Sequence, residues 1–303
     1  MGSTNRWAII LAGGDGKRLE RFTELLHGDK RPKQFSILVG NRTLLGLTYD
    51  RAARMVSSER IILLLTRQHE EFYGPELESL AGARALIQPR NRGTAPAIYW
   101  GIVEASEADP DSTVIILPSD HFYSREDTFL DSLDSAIRES ESKGRVVLLG
   151  AEPTGPETSY GWIEIGQHPD RACRTAAVAG LWEKPEANEA ARLFHRGCLW
   201  STFVMVGPAK AFLRLIRRTV PELPRSLYRN LSAENRIEAA YDNLRPIDFS
   251  REVLQPVHRD LLVLPMGDAG WSDLGEPPRA LDVVSKYGTN TQRSLVAALG
   301  ARG

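Results

Sequence analysis

Short apolar runs alternate with longer amphipathic stretches through the first half of this chain. That alternation restricts the fold more than any other feature. Runs at 7–11, 60–66, 85–87, 113–117 and 146–150 are aliphatic and β-branched and are predicted as strands. Between them, 44–55, 95–105 and 126–143 carry helical spacing. In 126–143, Phe129, Leu130, Leu133, Ala136 and Ile137 fall on one face. Ser124, with Asp127 following, is expected to cap that helix, and Gly144 to end it. A β-α-β-α order implies an α/β protein with a mostly parallel sheet covered by helices on both faces. Ligands on such sheets bind at the carboxyl ends of the strands.

The second half reads differently. Strands are predicted at 160–165, 177–182, 203–206 and 261–266, with helices near 186–195, 209–218 and 225–241. No linker rich in Gly, Pro or Ser interrupts the chain, and no repeat is visible. One domain over 1–285 is expected, with halves at about 1–155 and 156–285 and a short tail at 286–303. The tail carries no nameable chemistry.

The first predicted strand runs into Leu11-Ala-Gly-Gly-Asp-Gly-Lys-Arg-Leu-Glu-Arg21. Glycines at 13, 14 and 16 let backbone N–H groups approach an oxyanion closely. Lys17 and Arg18 follow at once, and Lys30-Arg-Pro-Lys-Gln-Phe35 adds more cations. The combination suits a polyphosphate. A P-loop is excluded, because Arg18 follows Gly16-Lys17 and Leu11 stands where its first glycine belongs. A dinucleotide fingerprint is excluded by Leu19, which disfavours an NAD-dependent dehydrogenase. A β-turn with solvated cations remains the plain alternative. Gly13, Gly14, Arg18 and Asp120 each follow a predicted strand and should converge on one sheet edge.

The chain has 303 residues, 42% of them hydrophobic and 25% charged, as in ordinary globular proteins. A net charge of −1 argues against a nucleic-acid or membrane surface, so any anion site must be local. Apolar stretches such as 61–65 fall far short of the ~20 residues of a membrane span. Cys173 and Cys198 are too few for a disulfide scaffold or zinc site, and are expected as free core thiols. A cytoplasmic location is expected. Homo-oligomerisation stays open.

The glycine segment, with Arg31-Pro-Lys-Gln-Phe35 downstream, resembles the signature of sugar-1-phosphate nucleotidyltransferases, and most of all the mannose-1-phosphate guanylyltransferases (GDP-mannose pyrophosphorylases). Further matches follow in the family's order. They are Gln88-Pro-Arg-Asn-Arg-Gly-Thr-Ala-Pro-Ala-Ile98, Leu117-Pro-Ser-Asp-His-Phe122, Pro156-Glu-Thr-Ser-Tyr-Gly-Trp-Ile-Glu164, Glu183-Lys-Pro185 and Trp271-Ser-Asp-Leu-Gly275. The resemblance implies a Rossmann-like, nucleotide-diphospho-sugar transferase type fold. It also implies transfer of a nucleotidyl group from GTP to α-D-mannose 1-phosphate, assisted by Mg²⁺.

Carried over by motif, the resemblance makes Arg18, Lys33, Asp120 and Asp273 catalytic, with Asp120 and Asp273 as the Mg²⁺ ligands. Leu11, Ala12, Gly13, Gly14, Gln88, Asn91, Gly93 and Asp120 would line the nucleotide. Gly161, Glu183, Lys184 and Ser201 would meet the sugar phosphate. Lys17, Lys30 and Arg31 are read as a supporting field, and His121 as structural. Each assignment has a plainer counterpart. Asp120 resembles a helix cap past a strand, the segment before Thr94 a helix start, and Glu183-Lys184-Pro185 a solvated strand end. Ser201 departs from the family, whose members usually carry Asn there, and puts the sugar in doubt more than the reaction. Two other readings stay open. One keeps the chemistry with a different base or hexose-1-phosphate, and the other is a non-catalytic nucleotide-sugar binding or regulatory protein.

Overall fold

The computed structural model describes residues 5–166, 174–231 and 234–300. Nine strands form one sheet: β1 (Arg6–Leu11), β2 (Ile61–Thr66), β3 (Arg84–Gln88), β4 (Thr113–Pro118), β6 (Val147–Ala151), β7 (Gly161–Ile165), β8 (Ala176–Glu183), β9 (Leu199–Pro208) and β10 (Leu262–Pro265). Two short strands, β5 (Phe122–Tyr123) and β11 (Trp271–Ser272), pair separately. The sheet order is β3-β2-β1-β4-β9-β6-β10-β8-β7, with β9 also touching β7.

The first half is parallel as expected, with β2 and β4 flanking β1 and β3 pairing with β2. The second half is largely antiparallel, because β9 returns between β4 and β6 and because β7 and β8 form a hairpin-like pair. The sheet is therefore mixed. Its inward residues alternate between two cores. Trp7 and Ile9 pack with the helix Thr94–Ala108, whereas Ala8 and Ile10 pack with the helices Leu44–Ala53 and Glu126–Lys143.

Strand β9 is longer than its predicted core of 203–206. Its register against β6 shifts between Leu148 and Gly150, while Thr202 donates to Leu149 O at 2.7 Å. Phe203 sits in this irregularity at φ +58°. A bulge of this kind re-aims a side chain, here into the cleft.

Glu126–Lys143 ends at Gly144 in the left-handed conformation, as expected. Ser124 does not cap it. The β5–β11 pair draws this stretch onto 269–272, so Ser124 N donates to Gly270 O and Arg125 takes the position before the helix. The helix predicted across 225–241 is interrupted, with separate helices at Glu222–Leu227 and Glu234–Asn243. Beyond the predicted domain end, the helix Asn290–Gly300 packs back on the fold. Gln292 donates to Gly40 O at 3.0 Å, and Val296 joins a third core with Leu19, Leu38 and Leu274. Cys198 is a buried free thiol, and Cys173 lies outside the described residues. No helix among the described residues is long and apolar enough to cross a membrane.

Candidate active site

Two cavities of about 360 Å³ and 230 Å³ open at the carboxyl ends of β1, β4 and their neighbours. They share Thr94, Asp120, His121, Phe203 and Asp248, and so form one continuous cleft. Its size suits a small-molecule ligand. The larger lobe is lined by Leu11, Gly13, Gly14, Gln88, Asn91 and Gly93; the smaller by Arg18, Lys33, Gly161, Glu183, Lys184, Ser201 and Asp273. Of the predicted site residues, only Ala12 stays out of the cleft. It is buried, and its N–H donates to Leu64 O.

The glycine turn is held from beneath. Gln34 donates to Ala12 O at 3.0 Å and Gly14 O at 2.7 Å, and Thr66 to Gly13 O at 3.1 Å. These bonds occupy the carbonyls of Ala12, Gly13 and Gly14 within the protein and fix the turn. A Cβ on Gly13 would come within 2.8 Å of Gln88 Nε2. Arg18 is exposed at the rim and has no protein partner among the described residues. Lys17 and Lys30 are exposed, and Arg31 is taken up by Asp29 at 2.6 Å.

At the far end of the larger lobe, Asn91 Oδ1 accepts from Gly93 N at 2.9 Å and its amide donates to Asp15. Gly93 has φ +82° and lies against Ile247, whose carbonyl accepts from Ala95 N. Gln88 is buried, donating to Leu65 O and accepting from Tyr241 OH.

Two acidic residues meet near the junction. Lys33 Nζ lies 2.9 Å from Asp120 Oδ2 and also donates to the main-chain carbonyl of Asp273. Burial opposes ionisation of Asp120, but the Lys33 ammonium, together with His121 and a backbone hydrogen bond, holds the carboxyl below its usual range. The loop carrying Asp120 is fixed by Ser119, which donates to Leu11 O, and by Arg51, which donates to His121 O. His121 is buried and its pKa is pushed down to about 4, so it is neutral near pH 7. Its Nδ1 accepts from Trp271 Nε1 at 3.2 Å, which fits a structural role.

In the smaller lobe Gly161 pairs with both Glu183 and Ser201 across the strands. A Cβ on Gly161 would stand 3.1 Å from Glu183 Oε2 and from Ser201 Cβ, so the glycine keeps this floor open. Burial raises the Glu183 carboxyl, partly offset by Lys184, whose Nζ is 3.5 Å away. Lys184 and Leu274, like Phe203, hold left-handed backbone conformations. Three such residues around one cleft mark strain kept for function.

The described residues contain no group of three or more His, Cys, Asp and Glu side chains arranged for a metal. A magnesium ion needs fewer protein ligands, since it takes one or two carboxylates and completes its shell with phosphate oxygens and water. Asp120 and Asp273 supply two hard oxygen donors. Each has one carboxylate oxygen engaged by a cation, Asp120 Oδ2 by Lys33 and Asp273 Oδ1 by Arg279; His121 Nε2 lies 3.8 Å from Asp120 Oδ1, and no donor reaches Asp273 Oδ2 among the described residues. The residues fit the ion.

Several residues at the site were not assigned from the sequence: Gln34 beneath the turn, Thr94, Phe203 and Asp248 at the junction, Tyr160 in the smaller lobe, and Arg279 behind Asp273. Gln34, Thr94 and Tyr160 lie inside the quoted motifs but were given no role there, whereas Phe203, Asp248 and Arg279 lie outside them.

A mixed sheet with its cleft at these strand ends is the architecture of the nucleotide-diphospho-sugar transferases. A Thermus thermophilus structure described as a mannose-1-phosphate geranyltransferase matches with a TM-score of 0.80 and 30% identity, covering 92% of this chain and 79% of that one. The chain belongs to the nucleotidyl transferase family, whose model matches residues 7–290. It is 30% identical over 290 residues to the xanthan biosynthesis protein XanB of Xanthomonas campestris pv. campestris (strain B100), covering 92% of this chain and 60% of that protein. It is 27% identical over 288 residues to the mannose-1-phosphate guanylyltransferase of Escherichia coli (strain K12), covering 91% of this chain and 59% of that protein. The chain thus spans less than two thirds of the length of these two relatives.

Proposed function

We propose that this chain transfers a guanylyl group from GTP to α-D-mannose 1-phosphate, giving GDP-mannose and pyrophosphate. The observation that carries the reading is the continuous cleft. The glycine turn lines the larger lobe, Asp120 stands at the junction, and Arg18, Lys33 and Asp273 line the smaller lobe together with Gly161, Glu183, Lys184 and Ser201. The names of the Escherichia coli and Thermus thermophilus relatives support mannose 1-phosphate as acceptor.

The attacking phosphate oxygen is already ionised, so the reaction needs no general base. It needs like charges brought together, and positioned cations supply that. The turn's N–H groups and Arg18 would take the triphosphate, Arg18 with a bidentate fork that lysine lacks. Lys184 would hold the sugar phosphate, and Glu183 would accept from ring hydroxyls. A divalent ion held by Asp120 and Asp273 would add charge neutralisation at the reacting phosphate. Each well-placed donor contributes a few kcal/mol, judging from the ~10²–10³-fold losses on removing one oxyanion donor. We place this chemistry within one unit over 1–285, in the cytoplasm.

Ser201, with its short hydroxyl, favours a second reading with the same chemistry and another hexose-1-phosphate. Pyrophosphate release with each nucleoside triphosphate in turn, against several hexose-1-phosphates with Mg²⁺, tests both. GTP with mannose 1-phosphate is the expected best pair. Turnover with UTP or dTTP but not GTP would overturn the base, and no turnover with any pair would favour a binding protein. Asp273→Asn is expected to abolish turnover while leaving the fold intact.

A further inference from the structure

The Asp273 carboxylate is oriented to an unusual degree. Its Oδ1 accepts three hydrogen bonds, each at 2.8 Å, from Tyr160 OH, Gly275 N and Arg279 Nη1. No donor reaches its Oδ2 among the described residues. Leu274 at φ +49° folds the chain so that Gly275 N can point back at Oδ1. A Cβ on Gly275 would stand 2.3 Å from Oδ2, so the glycine is what leaves that side clear.

Arg279 is fixed in turn. Its Nη2 donates to Ser159 Oγ at 2.9 Å and lies 3.3 Å from Glu276 and 3.5 Å from Glu157. Its guanidinium carbon stands 4.6 Å over the Tyr160 ring, whose hydroxyl bonds the same Asp273 oxygen. With these partners its fork is used up within the protein, and little is left for a phosphate. The residue also stands in the first turn of the helix Pro277–Tyr287, where the helix dipole disfavours a cation. Its placement there does not serve the helix.

We infer that Arg279 is a positioning residue: with Tyr160 it locks one oxygen of Asp273 and turns the other toward a divalent ion in the cleft. Lys33 does the equivalent for Asp120 by taking its Oδ2. The inference rests on the metal-assisted reading above and adds to it a residue that neither motif nor spacing assigns. Partners that hydrogen-bond a ligating side chain set metal affinity, and their loss costs about 10–100-fold.

The test is Mn²⁺ uptake by wild type and Arg279→Gln, followed by loss of the free-ion EPR signal with and without GTP. Thermal midpoints and Mg²⁺-dependent turnover are measured alongside. Arg279→Gln is expected to bind Mn²⁺ about 10–100-fold more weakly. Its turnover should fall at low Mg²⁺ and recover at high Mg²⁺, a rescue that general misfolding would not show. Arg279→Lys, which keeps the charge without the fork, should fall between. Wild-type Mn²⁺ affinity in Arg279→Gln overturns the inference. So does tighter binding, which would make Arg279 a competitor for Asp273. If Arg279→Gln does not fold, Tyr160→Phe removes one donor from the same oxygen and should weaken Mn²⁺ several-fold; unchanged affinity there overturns the inference equally. Wild-type protein that takes up no Mn²⁺ defeats the metal reading itself, a result distinct from any difference between variants.

Discussion

The ammonium of Lys33 lies 2.9 Å from Asp120 and also donates to the main-chain carbonyl of Asp273, so one buried cation ties together three stretches distant in sequence. Lys33→Met removes that tie. Asp120 is 35% exposed, so solvent screens the pair and the stability cost is on the order of 1 kcal/mol. Turnover should fall about 100-fold or more. The pair also fixes a sign. A depressed carboxyl contributes stability above its unfolded pKa and loses it as pH falls through the lower folded value. Urea midpoints should therefore separate Lys33→Met from wild type at pH 7, and the gap should narrow in acid as pH falls through the depressed carboxyl value. An equal gap at pH 7 and in acid would remove Asp120 from the account.

His121 titrates in another window. Burial brings it to about 4, against roughly 6.5 in an unfolded chain. Between those values the unfolded state takes up a proton that the folded state refuses. Stability is thus full above pH 6.5 and declines as pH falls toward 4, by up to ~1.4 kcal/mol per pH unit for one proton. Burial pushes His27 and His69 the same way, so part of the slope belongs to them. His121→Phe should remove one proton's share of the slope between pH 7.5 and 5 in urea titrations. An unaltered slope would mean that His121 is solvated in solution.

The parallel half of the sheet was readable because β1, β2 and β4 are buried on both faces and therefore appear as unbroken aliphatic runs. Gly144 was equally plain, since a left-handed helix end has few other solutions. Strand β9 was cut short because Trp200, Ser201 and Thr202 break the apolar run just where the bulge lies. Ser124 looked like a cap because local spacing cannot register a distant strand that competes for its backbone. The motifs brought their residues to one cleft. Asp248 and Arg279 stayed hidden because their positions follow from long-range pairing, Ile247 against Arg92 and Arg279 against Tyr160.

Gly93 offers a test of the nucleotide lobe. At φ +82° and ψ −178° it occupies a region that is essentially glycine's alone, and a Cβ would stand 2.3 Å from Ile247 O. Neither segment can yield cheaply, because Ile247 also bonds Arg92 O and Ala95 N through its backbone. Gly93→Ala should cost about 1–3 kcal/mol of stability. Steady-state kinetics should show a raised KM for the nucleoside triphosphate with that for the hexose-1-phosphate near wild type. A change confined to the hexose-1-phosphate would reverse the assignment of the two lobes.

Ser201 tests the other lobe. It sits opposite Gly161 and Gly150, beside Glu183, where a side chain from β9 faces the floor of the smaller cavity. A hydroxyl reaches one partner at short range, whereas an amide reaches farther and both donates and accepts. Ser201→Asn should therefore lower KM for mannose 1-phosphate, by about tenfold for one added neutral hydrogen bond of roughly 1.4 kcal/mol. KM for GTP should stay within about twofold, since Ser201 does not line the nucleotide lobe. Parallel titrations with glucose 1-phosphate show whether the gain is selective for mannose. If the substitution instead weakens every hexose-1-phosphate alike, the space beside Gly161 is already filled by the native sugar, and the short serine is there to admit a larger one.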